Sequence, residues 1–115
     1  MGRAGLKLEK INIMITPFQK RVYELTKQVP KGKVTSYSAI AKKLKSSPRA
    51  VGQALRVNPF ALVVPCHRVV KSDGSIGGFG GETCGKKIEE KIAMLRKEGV
   101  EIRQGKIDKK FFIPA

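Results

Sequence analysis

Three helix-start signals in quick succession constrain this chain most: Thr16-Pro17, Ser36-Tyr37 and Ser47-Pro48. A Ser or Thr hydroxyl before a helix accepts one of the amides that the first turn leaves without a partner, and proline at the first helical position has no amide to satisfy. At the first start Gln19 completes a capping box with Thr16, and Phe18, Val22, Leu25 and Val29 follow at helical spacing. Pro30-Lys31-Gly32-Lys33 ends that helix. The second helix runs from Tyr37 to about Leu44, with Tyr37, Ile40, Ala41 and Leu44 inward. After the turn Lys45-Ser46-Ser47, the third runs from Pro48 to about Val57 with Val51, Ala54 and Leu55 inward. Asn58-Pro59 stops it, because a residue before proline avoids the helical region. Two short helices joined by a tight polar turn, the second carrying Arg49, Gln53 and Arg56, read as a helix-turn-helix.

The flanks are less regular. Leu6, Leu8, Ile11, Ile13 and Ile15 nearly alternate, as in a strand with one buried face. Pro59 to Val70 reads as extended and largely buried, and Lys71-Ser72-Asp73-Gly74 as a turn. The glycine-rich run Ile76 to Gly81 lets backbone approach something closely, and without a following Gly-Lys-Ser/Thr it is no phosphate loop. A last helix spans about Cys84 to Glu98, with Ile88, Ile92 and Leu95 inward and Gly99 as its stop. Val100-Glu101-Ile102 and Lys106-Ile107 form a small hairpin around Gln104-Gly105, and Phe111-Phe112-Ile113 pack back on the body. The expected fold class is mainly α with short strands (α+β), a winged helix-turn-helix-like domain. Residues 1–15 form an N-terminal extension and 16–115 the domain proper.

The chemistry centres on Pro65-Cys66-His67-Arg68, set between Ala61-Leu62-Val63-Val64 and Val69-Val70. A cysteine beside a histidine, held by apolar chain on both sides, has the composition of a thiolate nucleophile. Twenty-four Lys and Arg against nine Asp and Glu give a net charge of +15, which calls for a polyanionic partner, nucleic acid first. No apolar run is long enough to span a membrane and no signal segment opens the chain, so the expected setting is cytoplasmic, or nuclear in a eukaryote. Cys66 and Cys84 are then free thiols. Two Cys and one His are too few for an ordinary zinc site, so no metal and no cofactor is expected.

Ser36-Tyr37, Arg49-Ala50-Val51-Gly52, Arg56, Asn58-Pro59, Pro65-Cys66-His67-Arg68-Val69-Val70, the Gly77-to-Gly81 loop and Glu98-Gly99 occur in this order. Over roughly Thr16 to Glu101 the chain resembles the C-terminal, DNA-binding and active-site domain of the O6-alkylguanine-DNA alkyltransferases. The resemblance implies direct-reversal repair of double-stranded DNA containing O6-alkylguanine, with O4-alkylthymine a further candidate substrate. The helix-turn-helix would enter the minor groove, and the damaged base would be flipped out, as chemistry on a stacked base requires. Cys66 would take the alkyl group as a thioether, which water cannot remove, so each molecule would act once and as a monomer.

By the same resemblance, His67 is the base that takes the thiol proton through a water, and Glu98 orients its imidazole. Tyr37 bonds the leaving base, Arg49 fills the gap in the stack, and Ser36, Gln53 and Arg56 contact DNA. Asn58 is a structural hinge; Val69, Phe79 and Gly80 line the base pocket. Phe79 stands where the family usually has tyrosine, Cys84 is a non-catalytic thiol, and only about 15 residues precede the first helix where most members carry a further domain. Two other readings remain open. One is a non-catalytic alkyltransferase-like protein that binds damage; in such relatives tryptophan commonly replaces the acceptor cysteine, whereas Cys66 is present and the chain has no Trp. The other, a winged-helix transcription regulator, leaves Cys66, His67 and Glu98 without a purpose.

Overall fold

All three helix starts form as their caps specify in the computed structural model, which describes residues 15–59, 63–78 and 85–115. The expected strand at Leu6–Ile15 (all but its last residue), and Phe79, Gly80 and Cys84, lie outside the described residues. Helix α1 spans Pro17–Lys27, and the capping box is complete: the Gln19 amide donates to Thr16 Oγ1 at 3.0 Å and the Thr16 amide to Gln19 Oε1 at 2.9 Å. Helix α2 spans Tyr37–Leu44 and is capped by the Ser36 hydroxyl, which accepts from the Ala39 amide at 2.9 Å. Helix α3 spans Pro48–Arg56, with Ser47 accepting from Ala50 at 3.1 Å. Val22, Ile40 and Val51, one from each helix, are fully buried in a shared core.

Tyr23 was not among the inward positions expected from spacing, yet it is buried in that core. Its hydroxyl donates to the Ala54 carbonyl at 2.7 Å. Ala54 lies in the last turn of α3, where carbonyls have no partner within the helix. The polar tip of an aromatic side chain thus ties α1 to the end of α3.

A short parallel pair joins this core to a second one. Strand β1 (Thr35–Ser36) lies beside β2 (Val69–Val70), with Thr35 opposite Val69 and Ser36 opposite Val70. Successive strand residues face opposite ways, so Val69 packs with the helices and Val70 with Val34, Ile76, Leu95, Val100, Ile102 and Ile107. Helix α4 (Lys86–Lys97) covers this second core, followed by the expected hairpin of β3 (Ile102–Arg103) and β4 (Lys106–Ile107). The tail packs back as expected: the Val34 amide donates to the Phe111 carbonyl, and the Ile113 amide to the Val34 carbonyl, both at 2.9 Å.

The expectation of extended chain from Pro59 to Val70 is corrected. Residues Cys66–Arg68 form a 3-10 turn, and Val63 is exposed. Proline has no amide for a ladder at position 65, and the next amides bond locally, Cys66 to the Val64 carbonyl at 2.8 Å and Arg68 to that of Pro65 at 2.9 Å. Among the described residues of this segment, only Val69 and Val70 find a partner strand.

The hairpin docks on the turn after β2 through the Ile107 amide, which donates to the Gly74 carbonyl at 2.9 Å. Gly74 has a φ of +91°, and a Cβ there would stand 2.8 Å from the Ile107 carbonyl oxygen. Gly74→Ala is therefore expected to destabilise the domain by about 1–3 kcal/mol. Thermal melting checks this, and an unchanged midpoint would contradict the docking.

Candidate active site

The 3-10 turn places three consecutive side chains in three directions, because its residues advance about 120° each. Cys66 points toward the helical core and is half-buried. Burial pushes its thiol up; the Asn58 side-chain amide, the Lys91 charge and the Cys66 and His67 backbone amides pull it back. Basic surroundings, expected to favour the thiolate, are thus opposed by a larger effect of burial. Asn58, expected as a hinge, also donates to the Val64 carbonyl at 3.4 Å, so it spans the chain between α3 and Cys66.

His67 is buried, with Nε2 3.0 Å from Glu98 Oε1. An ionised carboxylate only accepts, so Nε2 carries the proton and Nδ1 holds the lone pair that makes the ring a base. Burial lowers the pKa of His67 and the Glu98 carboxylate opposes that shift. The expected His67–Glu98 pair is therefore brought together across 31 positions of sequence.

Arg68 was given no role of its own from the sequence, yet it completes this array. Its Nε donates to Glu98 Oε1 at 3.0 Å and a terminal nitrogen to Oε2 at 2.7 Å. The other terminal nitrogen donates to the Val29 carbonyl, at 2.9 Å, just beyond α1. The guanidinium holds the Glu98 carboxyl below its usual range, which keeps it an acceptor for His67. The signal lay inside the Pro65-Cys66-His67-Arg68 run, but the partner of Arg68 is remote in sequence.

Tyr37 opens α2 beside this turn, and its hydroxyl donates to the Gly78 carbonyl at a long 3.4 Å. The glycine-rich segment leans on the ring: a Cβ at Gly77, whose φ is +77°, would stand 3.0 Å from Tyr37 Cε2. Only glycine lets backbone pass there. Val69, expected as pocket wall, is fully buried in the helical core. Phe79 and Gly80 fall outside the described residues.

Lys91 was missed altogether. It is fully buried, and its Nζ donates to the carbonyls of Val69, Ile76 and Gly78 at 2.8, 2.7 and 2.9 Å. The signal was available: Ile88, Lys91, Ile92 and Leu95 share one helical face. A lysine on an apolar stripe is a departure from amphipathic pattern.

On α3, Arg49, Gln53 and Arg56 are exposed and spaced to share a face, as expected of a reading helix. Ser36, expected among the DNA contacts, is buried, and its hydroxyl caps α2. Among the described residues no group of His, Cys, Asp or Glu is placed to hold a metal, and no helix is long and apolar enough to cross a membrane.

The profile of the family described as "6-O-methylguanine DNA methyltransferase, DNA binding domain" matches residues 17–100. A methylated-DNA–protein-cysteine methyltransferase of Thermococcus kodakarensis is 52% identical over 88 residues, which cover 76% of this chain and 47% of that protein. The chain thus spans about half the length of the first curated relatives it matches. Among solved structures, the O6-methylguanine-DNA methyltransferase of Pyrococcus kodakaraensis aligns with a TM-score of 0.64 and 50% identity, over 75% of this chain and 48% of that one. S. pombe Atl1, in complex with damaged DNA containing O6-carboxymethylguanine, aligns with a TM-score of 0.71 and 30% identity, over 85% of this chain and 95% of that one. With the Cys66, His67 and Glu98 geometry in place and the profile covering most of its length, the chain belongs to the 6-O-methylguanine DNA methyltransferase family, as its DNA-binding domain.

Proposed function

We propose that this chain repairs O6-alkylguanine in duplex DNA by moving the alkyl group irreversibly to Cys66. The observation that carries the reading is the His67–Glu98–Arg68 array beside a half-buried cysteine. Cys66 sulfur attacks the alkyl carbon, the carbon–O6 bond breaks, and its electron pair leaves with guanine, which is protonated as it departs. The thiol proton passes to His67 Nδ1 through a water, since the 3-10 turn sends adjacent side chains apart. Glu98, held by Arg68, stabilises the imidazolium that forms. Tyr37 bonds the base, Arg49 fills the stack and Gln53 and Arg56 contact the duplex, which the family resemblance supports together with their exposure on one face of α3. The protein acts as a monomer, in whichever compartment holds the genome.

One observation favours a damage-binding protein without transfer: the fit to Atl1 along nearly all of that chain. Against it stand Cys66 itself, the base array behind it, and the higher identity to methyltransferases.

The test uses duplex DNA carrying radiolabelled O6-methylguanine. Label is expected on the protein, one per chain, and on the Cys66 peptide. A labelled duplex that is bound tightly but transfers nothing to the wild-type chain overturns the proposal in favour of damage binding.

A further inference from the structure

A lysine that is fully buried needs a reason, because an ammonium loses its hydration there. Lys91 has three N–H donors, and three carbonyls from two separate segments, Val69 on β2 and Ile76 and Gly78 on the glycine-rich loop, accept them. Among the described residues no carboxylate lies within ion-pair distance of it. The ionisable groups it meets belong to the candidate site: Nζ is 3.5 Å from the Tyr37 hydroxyl and 5.7 Å from its ring centroid, and its charge acts on Cys66 and His67. From the other elements packed around Cys66, Tyr23 of α1 and Tyr37 of α2 feel the same thiol. Burial draws Lys91 down to about 7, while the three short bonds to carbonyl oxygens favour the charged amine.

The Gly78 carbonyl decides what this arrangement does. Two donors approach it: Lys91 at 2.9 Å and the Tyr37 hydroxyl at 3.4 Å. The ammonium holds the oxygen at ordinary hydrogen-bond distance, and the phenol is left with a long contact. Among the described residues, a base acceptor entering beside Tyr37 therefore competes only with that long contact. Without Lys91 the Tyr37 hydroxyl would be the one donor left to that carbonyl among the described residues, and Ile76–Gly78 would lose its tie to Val69.

We infer that Lys91 is a positioning residue for alkyl transfer: it pins the Ile76–Gly78 segment to Val69 and, by taking the short bond to the Gly78 carbonyl, leaves the Tyr37 hydroxyl a long contact there that the flipped base can replace. This rests on Cys66 being the alkyl acceptor.

Single-turnover methyl transfer from an O6-methylguanine duplex is measured for the wild type, Lys91→Met, Tyr37→Phe and the double variant, each checked by circular dichroism. Loss of a hydrogen bond to substrate predicts at least about tenfold slower transfer in each single variant. The double variant should be no more than about twofold slower than the slower single one, because both changes remove the same base contact. A folded Lys91→Met chain that transfers at the wild-type rate overturns the inference, as do losses that multiply in the double variant. A second measurement leaves Lys91 in place. In the full chain carrying Cys66→Ser and nitrogen-15 lysine, an O6-methylguanine duplex should shift the Lys91 ammonium resonance and an undamaged duplex should not. A resonance that stays put with the damaged duplex overturns the inference even if Lys91→Met cannot fold. A wild type that transfers no methyl removes the acceptor reading itself, whereas wild-type transfer with an equally fast Lys91→Met removes only the role of Lys91.

Discussion

Cys66→Ser is expected to end methyl transfer completely while leaving affinity for the damaged duplex within about twofold. A serine hydroxyl is far less acidic than a thiol and its oxygen is a poorer nucleophile toward a saturated alkyl carbon, so the same imidazole base does not make it a competent acceptor. Affinity should survive because the side chain that changes is half-buried against the helical core, whereas the phosphate contacts proposed above lie on the exposed basic residues of α3. Asn58 can bond a hydroxyl as it bonds the thiol, so the turn should keep its shape. Labelled transfer and fluorescence anisotropy on one preparation separate the two effects. Label appearing at Cys84 in the variant would show that the nucleophile had been misassigned.

Glu98→Gln should have the next largest effect, slowing transfer by about a hundredfold, the size expected when a general base loses its orienting partner. The glutamine amide presents one acceptor where the carboxylate presented two, and Arg68 needs both oxygens in addition to His67. Leaving a half-buried guanidinium with one partner fewer costs about 2 kcal/mol, which lowers the melting midpoint by several degrees. The pH dependence separates this array from simple packing. Burial holds His67 below 6.5 in the folded chain, so the unfolded chain takes up that proton first and stability falls as pH drops through 6.5. Glu98 is held below 4.5 chiefly by its bonds to Arg68, so its contribution is present above 4.5 and is lost on further acidification. Wild-type melting should decline in both ranges. Glu98→Gln should lose the lower limb, and identical acid profiles would argue that the carboxylate is not ionised in its present contacts.

Much of the fold was legible because its signals are local. The Thr16–Gln19 capping box, the Ser36 and Ser47 caps and the apolar spacing of α1 to α3 each involve residues within a turn of one another. The hairpin at Gln104-Gly105 is equally local. The Pro59–Val70 segment was misread because an apolar run does not distinguish strand from tight turn. Pro65 decided between them by denying a ladder amide and leaving local bonds. Ser36 is a related case: one hydroxyl can serve as cap or as DNA contact, and the fold buries it as the cap of α2.

The candidate site divides along the same line. From the sequence alone came the candidate nucleophile and base, Cys66-His67, the exposed face of α3 and the demand of a +15 chain for a polyanion. A fixed order of residue types carries that much. What only the tertiary structure decided is which groups satisfy one another across long separations: Arg68 gripping Glu98, Tyr23 closing the end of α3, and Lys91 gathering carbonyls from β2 and the loop around Tyr37. The physical reason is common to all three. A charge or hydroxyl taken out of water must find its partners in whatever backbone the fold brings near, and those partners are set by three-dimensional proximity, which no spacing along the chain records.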